Sequence, residues 1–80
     1  MLTPRLTEAV QAYLSGRTDY LVLHHTAHEE LAEVQDSFTD AVGVISVVHL
    51  LADRDSSLLG DVEFSRELER TLEAYGAKTP

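Results

Sequence analysis

The chain has no cysteine and no tryptophan, only two prolines and four glycines, and six basic residues against fourteen acidic ones. Each shortage excludes something. Without cysteine there can be no disulfide and no thiolate metal site, and the lack is compatible with any redox compartment. The basic residues Arg5, Arg17, Arg54, Arg66, Arg70 and Lys78 are scattered, and only Arg66 and Arg70 share a helix face. Direct nucleic-acid binding needs clustered Lys and Arg to neutralise phosphates, so it is not expected. The longest apolar stretch, near residues 44–52, is interrupted by Ser46 and His49. It falls far short of the ~20 residues a membrane-spanning helix needs. The start, Met1-Leu2-Thr3-Pro4-Arg5, lacks a basic segment followed by an apolar run, so no signal peptide is expected and the default address is cytoplasmic. There is no glycine-rich phosphate loop and no serine in a Gly-x-Ser-x-Gly turn. Enzyme activity is therefore not expected, and no cofactor is implied.

What is present is a short acidic chain of 80 residues with a formal net charge of −8. That length makes a single domain, residues 1–80. A chain so short buries only roughly 60% of its unfolded surface, and oligomerisation is the usual supplement when disulfides are missing. The acidity reads first as solubility, and second as attraction to a basic partner.

Periodicity indicates an all-α fold of three helices. Thr3 can cap a first helix over about residues 4–15, with Pro4 at its first position and Leu6, Ala9, Val10, Tyr13 and Leu14 on one face. Gly16 suits the left-handed position beyond its end. A stripe of Tyr20, His24, Ala27, Leu31, Val34, Phe38, Ala41, Ile45, Val48 and Ala52 then recurs at spacings of four and three. It predicts one long central helix over about residues 19–53, capped by Thr18 or Asp19. Val42–Val48 is rich in β-branched residues, but turn residues are nearly absent around it, which argues against a strand. The alternative to a continuous rod is a kink near residues 36–40, with Asp36 or Ser37 capping a new helix. Phe64, Leu68, Leu72 and Tyr75 place a third helix over about residues 61–75, closed by Gly76 and followed by a tail at 77–80.

A rod of about 34 residues is roughly 50 Å long, and two short flanking helices cover about one face of it. That suffices for its first half. From Ala41 to Ala52 it is apolar on several sides and asks for more cover. A two-fold homodimer is the expected cover, with Ala41, Val44, Ile45, Val48 and Leu51 near the interface centre. A compact monomeric bundle with a kinked middle helix, or an apolar surface reserved for a different protein, are the alternatives.

The one cluster of chemically capable residues is His24-His25-Thr26-Ala27-His28-Glu29-Glu30. On a helix His24 and His28 stand one turn apart and are weak candidates for holding zinc, copper or nickel. The pattern is not the His-Glu-x-x-His of zinc peptidases, since Ala32 stands where the second histidine would be needed. A structural or solvated role is the expectation, with a pH response if His24 lies in an interface. His49, alone among aliphatics, reads as a structural histidine. Two functions remain. One is a non-enzymatic, self-associating interaction module acting as an accessory or regulatory subunit. The other is an acidic inhibitor or antitoxin-like protein, mimicking nucleic acid, that blocks a basic partner with Glu29, Glu33, Asp36 and Asp40.

Overall fold

The structure, a computed structural model, describes residues 2–34 and 38–76, leaving aside the side chains of residues 38–40. The described residues are all helical or loop, without strands, and form α1 (Pro4–Leu14), α2 (Tyr20–Glu33), α3 (Phe38–Asp55) and α4 (Asp61–Tyr75). Each helix packs on the next, and α1 also packs on α4, which closes the ring. Short connections make sequential helices antiparallel, as in an up-down bundle. At one end the Leu2 N–H donates to the Tyr75 carbonyl at 2.7 Å. At the other, the start of α2 meets the end of α3 through Tyr20 and Asp55.

Local chemistry explains most helix ends. Thr3 has extended backbone, and its Oγ1 accepts from the Leu6 N–H at 3.2 Å, with Pro4 opening α1 where no N–H partner is needed. Gly16, at φ +80°, ends that helix in the left-handed region, where a side chain is costly. Asp19 caps α2 by accepting from the Val22 N–H at 3.0 Å. At the head of α4, Gly60 is the cap residue but offers no side-chain bond, and Asp61 and Glu63 favour the positive end of the helix dipole.

The expected long central helix is not formed. Its span is divided between α2, which ends at Glu33 with Val34 leaving helical geometry, and α3, which begins at Phe38. The proposed caps Asp36 and Ser37 lie outside the described residues. Burial accounts for the division. A rod of roughly 50 Å would extend past both short helices. Folding α3 back along α2 instead places Val44, Val47 and Leu51 against Leu23 and Ala27 inside the chain's own core. The helical phase also turns by about one residue at the break. Ile45 and Ala52, which continue the stripe, are exposed, whereas their neighbours Val44 and Leu51 are buried.

That core joins Leu2, Leu6 and Val10 of the α1 segment, Leu23, Ala27 and Val34 of the α2 segment, Val44, Val47 and Leu51 of α3, and Phe64 and Leu68 of α4. Tyr13, Tyr20 and Phe64 meet edge to face, with ring centroids 5.7–6.5 Å apart, and seal the end of the bundle near the α3–α4 connection. Two expected interface residues, Val44 and Leu51, are therefore closed inside one chain and not presented to a second copy.

Candidate functional site

The outer flank of the α2–α3 hairpin gathers the polar groups with chemical capacity. Asp55 ends α3, and its carboxylate takes two partners from α2. The Tyr20 hydroxyl donates to Oδ1 at 2.6 Å, and His24 Nε2 lies 3.5 Å from Oδ2. The Leu51 carbonyl, 3.1 Å from the same hydroxyl, is a second and longer acceptor that shares its one proton. Burial first, and donation to Asp55 second, push the Tyr20 phenol up to about 12, so it stays protonated and keeps donating. Arg54 lies across the Tyr20 ring, with its guanidinium carbon 4.0 Å from the centroid, and pairs with Asp61 at 2.9 Å. Burial is the largest single influence on Arg54 and opposes its charge, but attraction and hydrogen bonding to Asp61, together with Tyr13 and Tyr20, outweigh it and hold the guanidinium above its ordinary range.

His24 and His28 sit on this flank one turn apart, their rings 4.4 Å between centroids and tilted by 40°. His28 is exposed and His24 partly so. His25 points to the other side of α2, where its Nε2 lies 3.0 Å from Glu29. Among the described residues, no three His, Asp or Glu side chains are grouped to hold a metal ion.

The remaining expected site residues separate into three groups. Ala41 and Val48 are half-buried beside the core, and Ile45 is 41% exposed. Spacings of three and four from Asp55 put Ala52, Val48, Ile45 and Ala41 along the flank of α3 nearest α2. Of the expected acidic face, Glu33 is exposed. Glu29 is engaged by Arg5 at 3.0 Å as well as by His25. Asp36 and the Asp40 side chain lie outside the described residues. Glu30, the last residue of the chemically capable cluster seen in the sequence, is only 4% exposed. Its carboxylate accepts from the Thr3 hydroxyl and lies 3.6 Å from Arg5, so it ties α2 to the head of α1.

Sequence reasoning missed Glu30, Asp55 and Arg54 as organising groups. Their partners lie far along the chain, and no local spacing marks them. It also missed that Leu21, 75% exposed, and Val22, Leu58 and Val62 would be left facing water. No helix of the described residues is long and apolar enough to cross a membrane. Comparison with known proteins finds no matching family model, curated protein or solved structure.

Proposed function

We propose that this chain is a cytoplasmic, non-enzymatic interaction module that self-associates as a homodimer and serves as an accessory or regulatory subunit. The observation that carries this reading is apolar surface left over after a complete core has closed. Leu21 and Ile45 remain well exposed on the outer α2–α3 flank, beside Ala52 and the half-buried Leu31, Ala41 and Val48. Each large aliphatic side chain left in water forgoes about 1.5–3 kcal/mol of burial. Among the described residues the charged groups beside this flank, Asp55, Arg54 and Asp61, gather at its Tyr20 end, so in a chain of net charge −8 two copies meet over the apolar remainder with little repulsion. The proposed interface keeps Ala41, Ile45 and Val48 and replaces Val44 and Leu51 with Leu21 and Leu31.

Light scattering across a dilution series at pH 7.5 tests this. A mass of twice the 8.9 kDa chain is expected, falling to the monomer mass for Leu21→Glu and Ile45→Glu. A monomer at every concentration would contradict it.

A second reading, an acidic inhibitor of a basic protein, is supported by how the positive charge is used. Arg5, Arg54 and Arg70 are each paired with a carboxylate, while Glu8, Asp19, Glu33, Glu63, Glu69 and Glu73 stay exposed. It predicts binding to a basic partner that weakens with salt and with Glu29→Gln and Glu33→Gln. Binding indifferent to salt would count against it.

A further inference from the structure

We propose that the His24–His28 pair is half of a zinc site, which a second copy of the chain completes. This rests on the self-association put forward above and adds a ligand to it. The two imidazoles stand one helical turn apart, rings 4.4 Å between centroids, on the accessible flank of α2. Neutral imidazoles at that spacing supply two neighbouring ligands of a tetrahedral ion, and zinc takes four. One chain stops at half a shell, since no described group of three side chains is placed to hold a metal. Asp55 Oδ2 lies 3.5 Å from His24 Nε2, longer than a hydrogen bond but near enough to close to one and so orient a metal-bound imidazole through its second nitrogen. Once that bond closes, Nδ1 of His24 is the nitrogen left for the ion.

The missing ligands follow from the symmetry of α2 itself. Position 26 is midway between His24 and His28, and also midway between Leu21 and Leu31. Two copies of α2, antiparallel across a two-fold axis at that level, bring each His24 opposite a His28. The same operation sets Leu21 of one copy against Leu31 of the other on both sides of the four imidazoles. The apolar contacts then flank the ion and limit its access to water. The net charge of −8 on each copy favours a bridging divalent cation, because the ion offsets repulsion between the two chains.

The test uses the full chain, stripped of metal with EDTA, dialysed and titrated with zinc at pH 7.5. Heat of binding and solution mass are followed together. The expected result is one zinc ion per dimer and a dimer that dissociates at least ten-fold less readily with zinc than without. Cobalt(II) in its place should give the intense visible absorption of a tetrahedral ion. His28→Ala, at an exposed position, should abolish the stoichiometric binding and the cobalt spectrum, as should His24→Ala, while His25→Ala and His49→Ala keep both. Binding that survives the double change His24→Ala/His28→Ala, or zinc bound one per monomer, overturns the site. A dimer that persists in EDTA and is indifferent to zinc also overturns it, yet leaves self-association standing. A monomer with and without zinc overturns both.

Discussion

The hydroxyl of Tyr20, in the first turn of α2, donates to the carboxylate of Asp55, in the last turn of α3, across 2.6 Å. This bond joins the two ends of the α2–α3 hairpin and holds Asp55 against His24. Removing the hydroxyl with Tyr20→Phe should cost about 1 kcal/mol of stability, measured by urea unfolding at pH 7.5. The contribution has a defined pH window. Folding raises the phenol from 10.0 to about 12, so the native state holds a proton that the unfolded chain gives up first. The stabilisation is therefore complete below pH 10 and lost as pH rises through 12. The gap in urea midpoint between the wild type and Tyr20→Phe should close over that range, and a gap of constant size would refute the assignment.

Thr3 acts in two directions, accepting from the Leu6 N–H and donating to the buried Glu30 carboxylate. Thr3→Ala should cost about 1 kcal/mol for the cap alone, and more because Glu30 loses a donor. Combining it with Glu30→Gln should give a total smaller than the sum of the single changes by at least about 0.5 kcal/mol. Additive effects in chemical denaturation would show that the two side chains do not act as a pair.

Two glycines should respond oppositely to substitution. Gly16 has open space around a would-be Cβ but sits at φ +80°, so Gly16→Ala should destabilise by about 1 kcal/mol. Gly60 is extended, equally unobstructed, and caps α4 without a side chain. Gly60→Ser should add a cap and restrict the unfolded chain, for a gain of about 0.5–1 kcal/mol. In a domain this small each kcal/mol moves Tm by about 4–8 °C, so thermal melts followed by circular dichroism resolve both signs.

Phe64 is fully buried and forms the face on which Tyr13 and Tyr20 rest edge-on. Phe64→Ala should cost about 3–5 kcal/mol, comparable with the whole stability of a chain this short. The variant should be largely unfolded by far-ultraviolet circular dichroism at 25 °C. A cooperative melt within a few degrees of the wild type would place the centre of the core elsewhere.

The sequence alone determined the features that depend on neighbours along the chain. The all-helical character of the described elements, the Thr3–Pro4 start, the Ser15–Gly16 stop and the span of α4 all follow from caps and spacings that act within one or two turns. The His24–His28 pair was legible for the same reason, as residues four apart on one helix. The division of the central stripe was legible only as the alternative to a continuous rod, because a heptad reads alike in a rod and in two helices folded on one another. Only the tertiary structure decided that Val44 and Leu51 turn inward while Ile45 stays exposed, since the choice depends on where α1 and α4 lie. It alone buried Glu30 and brought Asp55 to Tyr20 and His24. Those contacts join groups 27, 35 and 31 positions apart, and no local periodicity reaches that far. Backbone bonding and side-chain spacing act over a turn, whereas burial is shared among all four helices and is settled only when they meet.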